Sequence, residues 1–460
     1  MFRTFANAWK IKELRNKILF TLAVLFIYRI GANIFVPFVS RDGVLSMGGT
    51  TAFNIFNVLS GGAAERMTLF ALGVSPYITA SIVVQLLSVA IPALERLSKM
   101  GDEGKNKINT ITRYITIVIS VIMAIGYYMM IKSDGLLGST PTKGWMGFFY
   151  AVVIVASFCA GSSIVMWLAE KINDKGIGNG ISLILFANII STLPNLAISM
   201  FQLSTNNVTT KGSSFMTIPG FNWRGTVISL LTIVVILLLV WFIIFVSDSE
   251  RRIPVQYAKK VVGRKMYGGQ NSNLPIKVNM TGVMPIIFAN AIMSVPGLVA
   301  QFMINSENET VQKVALFMSG TGWIYVTIQF ILVLAFAYFY VAISFNPTEV
   351  AGNLQKNGGS IPGIRPGKAT SDYISKVLSR VTLIGALTLS VISIVPHIVV
   401  LILNYVPADG AHSIVDIYSG ILSPVAFAGT SIIIAVGVIL ETIREIEAQM
   451  TMRHYKGFLE

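Results

Sequence analysis

The sequence predicts an all-α membrane protein with ten transmembrane helices, and three observations carry that prediction. Of 460 residues, 54% are apolar and only 12% charged, whereas soluble domains carry about 25% charged residues. Ten long apolar runs follow one another, at 18–38, 68–92, 114–131, 146–169, 181–203, 225–246, 282–303, 321–345, 381–403 and 420–440. The connectors between them alternate between rich and poor in basic residues. About 20 apolar residues cross the hydrocarbon core as a helix. Lipid satisfies no backbone hydrogen bonds, so spans are helices or closed barrels. These runs lack the period-two alternation of barrel strands.

The first run is followed by no small-x-small cleavage site among Val36, Pro37, Phe38 and Val39, so it is expected to stay as a span. The single cysteine, Cys159, lies inside the fourth run and excludes a disulfide within the chain. His397, His412 and His454 are too few and too scattered for a metal site.

Charge sets the orientation. Connectors 1–17, 93–113, 170–180, 247–281, 346–380 and 441–460 hold 27 Lys and Arg, whereas 39–67, 132–145, 204–224, 304–320 and 404–419 hold 7. Basic loops stay cytoplasmic, so both termini are expected there. Orientation accounts for most of the net charge of +14. The connectors 247–281 and 346–380 are also long and rich in Gly and Pro, and long ordered loops are uncommon without a function. Docking of a cytoplasmic partner is the second reading of these two.

The interior is almost uncharged. Arg29 alone sits well inside a span, either facing other helices or snorkelling outward. Transporters usually carry ionisable groups near the midplane, and no proton relay or carboxylate cage is visible here. Gly367-Lys368-Ala369-Thr370 is no phosphate loop, because Ala369 follows the lysine and Pro362 stands where glycine is needed. Gly176-Ile177-Gly178-Asn179-Gly180 reads as a turn leading into a helix. Neither an enzyme nor a cofactor is expected.

The second and seventh runs share a segment. Gly73-Val74-Ser75-Pro76-Tyr77-Ile78-Thr79-Ala80-Ser81 matches Gly282-Val283-Met284-Pro285-Ile286-Ile287-Phe288-Ala289-Asn290 in glycine, valine, proline, isoleucine, alanine and a final small polar residue. The seventh run comes five spans after the second, so the two run in opposite directions. Inverted repeats with Gly/Pro-interrupted helices point to a central pathway. Pro76 and Pro285 are expected to weaken and bend their helices, giving a seam that can part. Ile78, Ile82 and Ile287 nearby are apolar, and such a constriction excludes ions by dewetting. It suits a substrate that is a polymer of mixed polarity. A ten-span solute or ion transporter with inverted repeats is the alternative.

Several segments carry a resemblance to a known family over nearly the whole chain. They are Tyr28-Arg29-Ile30-Gly31, Phe56-Asn57-Val58-Leu59-Ser60-Gly61-Gly62-Ala63, the stretch from Pro76 to Leu87, Gly176 to Ser182, Arg252 to Lys259, Leu274 to Asn279, Phe345-Asn346-Pro347 and Ile361 to Gly367. In this order, between these spans, they resemble the SecY family of translocon subunits, the pore-forming part of the bacterial Sec protein translocase. After the first span Ile34-Phe35-Val36-Pro37-Phe38 keeps only one proline where the family often has two.

The resemblance implies two inverted halves, residues 1–210 with spans 1–5 and residues 211–460 with spans 6–10. It implies a protein-conducting channel that passes unfolded secretory polypeptides and releases apolar segments sideways through a gate between spans 2 and 7. Val74, Ile78, Ile181, Leu185, Ile287 and Ile434 would form its aliphatic ring. The segment of about 53–66, with Phe56, Asn57, Ser60, Gly61 and Gly62, resembles the plug half-helix; otherwise it is an ordinary re-entrant loop. Pro76, Gln85, Pro285 and Asn290 would line the gate. Lys259, Arg264, Lys265 and Arg365 match loop positions that meet a ribosome or the SecA motor ATPase. The other implied partners are the small membrane subunits SecE and SecG, signal peptides, nascent chains and the lipid bilayer of a bacterial plasma membrane.

Overall fold

In the computed structural model, residues 7–40, 57, 59–133, 135–137, 144–204, 223–257, 260–262, 265–267, 271–304, 323–405 and 430–451 are described. The helices are α1 Lys12–Gly31, α2 Ser75–Ala90, α3 Pro92–Lys99, α4 Asp102–Ser133, α5 Gly144–Lys175, α6 Gly180–Ser204, α7 Trp223–Asp248, α8 Met284–Ile304, α9 Trp323–Ser344, α10 Pro347–Lys356 and α11 Lys368–Tyr405, with α12 over 430–451. Each of the ten apolar runs meets a helix; of the tenth, 420–429 lies outside the described residues.

Among the described residues α4, α5, α7, α9 and α11 are by themselves long and apolar enough to cross a membrane, and α2 with α3 makes a sixth candidate bent by 106°. Shorter apolar stretches, Gly180–Pro194 and Met284–Ser294, lie in α6 and α8. Leu230, Leu231, Leu237, Leu238 and Trp241 of α7 point outward, as a lipid-facing helix requires. The chain is an all-α, multi-span membrane protein.

Two boundaries differ from the sequence expectation. The first span was expected over 18–38, but α1 ends at Gly31 and 32–40 turns away to pair with the start of the second run. The Leu69 amide donates to the Ile34 carbonyl at 2.7 Å, and Phe35 bridges Thr68. The second span was expected from 68, but α2 begins only at Ser75. Gly73 has φ of +53°, a left-handed conformation that stops a helix from extending backward through it.

The prolines are the second correction. Pro76 and Pro285 were expected inside helices, bending them. Pro76 stands in the first turn of α2 and Pro285 is the second residue of α8, where the missing N–H would have no intrahelical partner in any case. They start the helices rather than weaken them. The repeat is nevertheless real in three dimensions. Gly73 and Gly282 both have positive φ, +53° and +63°. Val74 and Val283 after them are both buried, and so are Ile78 and Ile287.

Within the bilayer, packing rests on close van der Waals fit, because lipid is as apolar as leucine. α1 packs on α5 and α6, α4 on α2 and α5, α9 on α8 and α11, and α11 on α7. Helices of residues 1–210 meet those of 211–460 where α8 touches α2 and α4 and α6 touches α7. α12 also reaches α1, Lys17 Nζ donating to Gln449 Oε1 at 3.3 Å. At Gly161 of α5 an added Cβ would fall 1.9 Å from the Leu69 carbonyl oxygen, so this helix touches the irregular chain before α2 directly.

The long basic connectors, expected as loops, form one folded unit. β1 (Glu250–Tyr257) pairs antiparallel with β4 (Asn271–Lys277) from Glu250↔Lys277 to Gln256↔Asn271, and with β5 (Gly359–Ser360) on its other edge. β2 (Lys260–Val262) and β3 (Lys265–Tyr267) form a separate hairpin between them. Ile253, Ile276, Ile361, Ile374 and Leu378 make a core that fastens both connectors to α11. The alternation of Ile253 and Val255 with exposed Arg252, Pro254 and Gln256 is the strand signal.

Gly161 gives a direct test of this packing. Gly161→Ala should push the Leu69 backbone and lower stability by about 1–3 kcal/mol. Thermal unfolding in detergent would show it as a reduced melting temperature; an unchanged melt would mean that the two elements do not touch.

Candidate functional site

The six ring residues come from four helices and meet. Val74 precedes α2 and Ile78 lies in its first turn; Ile181 and Leu185 sit in the first turns of α6; Ile287 lies in α8 and Ile434 in α12. Residues four apart on a helix share a face, so α2 and α6 each present a pair. Val74, Ile78, Leu185, Ile287 and Ile434 are buried in one cluster, and half-buried Ile181 packs against it. Ile82, Val283, Ile286 and Val438 extend the same cluster. Gly437 lets α12 approach α8, since a Cβ there would lie 2.1 Å from Val283 Cγ1. The six side chains named for the ring are all aliphatic.

Beside this cluster the chain from 57 to 74 is short of regular structure: Asn57 and Leu59 are helical, and turns follow. Its backbone is held by many polar contacts. Asn57 Nδ2 donates to Glu65 Oε2 at 2.9 Å, and Asn57 Oδ1 accepts from the Glu65 amide at 3.0 Å. The Ser60 hydroxyl donates to the Asn57 carbonyl at 2.9 Å and accepts from the Ala64 amide at 3.1 Å. The Tyr127 hydroxyl of α4 donates to the Ala64 carbonyl. Ser60 is buried, while Gly61 and Gly62 have φ of +68° and +82°. Low helix propensity at Ser60-Gly61-Gly62 is therefore accompanied by firm anchoring, which sequence reading did not anticipate. Phe56 lies outside the described residues.

Arg29 turns inward to other helices. Its Nη1 donates to Asn188 Oδ1 at 3.3 Å. Asn188, fully buried on α6, donates through Nδ2 to the Leu59 carbonyl at 2.7 Å and to the Tyr28 hydroxyl at 2.9 Å. The Tyr28 ring stacks on Phe70 at 5.5 Å.

At the α2–α8 seam, Pro76, Pro285 and Asn290 are buried and Gln85 is half-buried. Gln85 Nε2 lies 3.4 Å from Ser81 Oγ, and the Gln85 side chain also hydrogen-bonds Tyr340 of α9. The Tyr340 ring packs on Phe288 of α8 at 5.5 Å. Asn290 looks away from α2: its Oδ1 accepts from Gln329 Nε2 at 3.1 Å, and that amide also approaches Ser393 Oγ at 3.4 Å. Gln85 and Asn290 thus stand at the seam with separate partners. Asn188, Gln329, Tyr340 and Phe288 escaped the sequence reading. A lone amide or aromatic in an apolar run gives no pattern to read.

On the basic face, Lys265 begins strand β3 and Arg365 is exposed between β5 and α11; Lys259 and Arg264 lie outside the described residues. Arg444 of α12 binds Asp248 Oδ1 and the Ser247 carbonyl at the end of α7, both at 2.8 Å. Burial, with Arg444 nearby, lowers the Lys277 ammonium below its ordinary range. Arg113 and Glu170, 2.7 Å apart, tie α4 to α5.

Known proteins share this arrangement. The family model for SecY matches residues 68–443. The protein translocase subunit SecY of Streptomyces galbus is 40% identical over 468 residues, with all of both chains covered. A SecY protein whose plug domain stabilises the closed state of the translocation channel and maintains a membrane seal aligns with a TM-score of 0.58 at 17% identity, over 95% of this chain and 92% of its own. Sec61 from the canine ribosome–channel complex of the endoplasmic reticulum aligns at 0.59 and 16%, with the same coverage. The two solved structures share the fold, and the identity along the full length of the bacterial subunit assigns the lineage: this chain belongs to the SecY family.

Proposed function

We propose that this chain is a protein-conducting channel that passes unfolded secretory polypeptides across a bacterial plasma membrane. It releases apolar segments into lipid between α2 and α8. The observation that carries this reading is the hydrophobic cluster to which α2, α6, α8 and α12 bring aliphatic side chains, read here as the constriction. It offers no polar site to a solute, so the transporter alternative has no support, and SecY-family membership speaks against it. A ring of branched side chains seals by dewetting and yields to an extended polypeptide. Residues 1–210 and 211–460 are the two inverted halves, supported by the matched starts of α2 and α8. Val74, Ile78, Ile181, Leu185, Ile287 and Ile434 form the seal, and the segment of about 53–66 is the plug beside it.

The seam supports lateral release. α8 meets α2 and α4, and the side chains between them are mostly apolar, so a signal peptide's helix replaces like with like. Pro76, Gln85, Pro285 and Asn290 line this gate. The chain does no chemistry itself; work comes from a partner on the basic face. The folded sheet carrying Lys265, with Lys259, Arg264 and Arg365 on the same two connectors, is the docking face for a ribosome or the SecA motor, since a positive surface attracts phosphate and acidic protein alike. Both termini are on this side. The small membrane subunits SecE and SecG are its other partners.

Two measurements test this function. Ile78→Asn and Ile287→Asn should each raise ion conductance of the reconstituted channel several-fold, because polar side chains wet the constriction; unchanged conductance in both would remove these residues from the seal. Arg365→Glu should weaken partner binding about tenfold at low salt and less at high salt, while membrane insertion stays normal. Binding that survives the reversal at low salt would reduce the basic loops to setting orientation.

A further inference from the structure

We propose that Asn188 is the latch that holds the plug shut, coupling plug release to dilation of the ring; this rests on the plug reading of residues 53–66. A primary amide has two N–H donors and one acceptor oxygen. Asn188 uses all three, with no solvent exposure. One donor goes to Leu59 at 2.7 Å, one to Tyr28 at 2.9 Å, and the oxygen accepts from Arg29 at 3.3 Å. Tyr28 and Arg29 hold the amide's orientation, so that its remaining N–H points at the plug. Leu59 ends the plug's short helical stretch, where carbonyls have no intrahelical partner. The latch therefore satisfies a group that would otherwise be bare.

A second observation places Gly61 in the same contact. A Cβ there would lie 2.7 Å from Arg29 Nη1 and 2.8 Å from Asn188 Oδ1, whereas a Cβ at Gly62 would meet nothing within 4 Å. Both glycines have positive φ, so both resist substitution by backbone strain. Only Gly61 is also bare because the latch passes over it.

The coupling comes from position. Asn188 is seven residues after Ile181 and three after Leu185 on α6, which puts it on the ring-bearing face about one turn farther along. Any movement of α6 that widens the ring carries Asn188 away from Leu59. A buried hydrogen bond contributes modestly in net terms, yet its donor is costly to strand. Once water or a polypeptide enters, the amide and Arg29 find new partners there. The latch thus resists spontaneous opening and yields to a chain already inserted.

The test uses the full channel, reconstituted with its small membrane subunits, and reads resting openings in planar bilayers. It also reads the rate at which a charged thiol reagent labels Leu59→Cys in a Cys159→Ser background. Asn188→Ala and Gly61→Ala should each raise opening frequency and labelling about fivefold to tenfold, the scale of one hydrogen bond. Gly62→Ala carries the same backbone strain without meeting the latch and should raise both less than Gly61→Ala does. Tyr28→Phe, which removes one orienting partner of the amide, should raise both less than Asn188→Ala does. Gly61→Ala leaves α6 intact and decides the matter if Asn188→Ala fails to accumulate. Deletion of Asn57 to Glu65 is the control for the plug itself. Openings that rise on deletion but not in Asn188→Ala or Gly61→Ala overturn the latch and leave the plug standing. A rise in Gly62→Ala as large as that in Gly61→Ala assigns the glycine effect to backbone strain and overturns the latch as well. No rise on deletion overturns both.

Discussion

Everything near the constriction depends on one constraint: irregular backbone at membrane depth must find its hydrogen bonds inside the protein. The chain between α1 and α2 leaves the helix at Gly31 and enters the next only at Ser75. Its described carbonyls and amides are met by local turns, by pairing of Ile34 with Leu69, by Tyr127 at Ala64 and by Asn188 at Leu59. The side-chain partners sit on α4 and α6. Those two helices are thereby held around a segment that contributes no span of its own. A channel needs an element that can leave without unfolding its surroundings, and a turn-rich segment bound through a few side chains meets that need better than a packed helix.

The same economy shapes the seam. Helix association in lipid has little hydrophobic drive, and interhelical polar contacts average about 0.6 kcal/mol. The α2–α8 contact is mostly aliphatic, with Gln85 reaching Tyr340 on the neighbouring α9. Asn290 of α8 is bound to Gln329 of α9. Opening the seam therefore strands no buried amide of α8, and what separates is apolar surface that lipid or a signal helix can cover. The firmer polar ties, Arg113 to Glu170 and Arg444 to Asp248, join α4 to α5 and α12 to α7 and leave this seam free.

Much of this was legible in the sequence because the bilayer makes span-length apolar runs unmistakable. The six aliphatic residues were named by family resemblance; five of them lie in one hydrophobic cluster with Ile181 packed against it, and Ile78 and Ile287 occupy equivalent places after Gly73 and Gly282. Boundaries were not legible. An apolar run does not reveal where a left-handed glycine interrupts it, so Leu69 to Leu72 read as helix. Pro76 and Pro285 read as kinks because their distance from a helix start could not be judged without that glycine's conformation. The strands of 250–277 were masked by Pro254 and Pro275 and by the charge around them.

The Asn188 contact shows why a site can be invisible in a pattern and plain in a fold. In the run from Ile181 to Ile190 it is one amide among aliphatics, and isolated polar residues in membrane helices are common. Its meaning comes from three partners that are 129 to 160 residues away in the chain. Tyr28-Arg29 was recognisable as a family segment, and Ser60-Gly61-Gly62 as a stretch of low helix propensity, yet nothing in either says that they meet. The glycine at 61 joins them physically: its missing side chain is the space through which Arg29 and Asn188 approach each other. A residue selected for absence of volume leaves no chemical signature in the sequence, and its role emerges only when the atoms around the gap have positions.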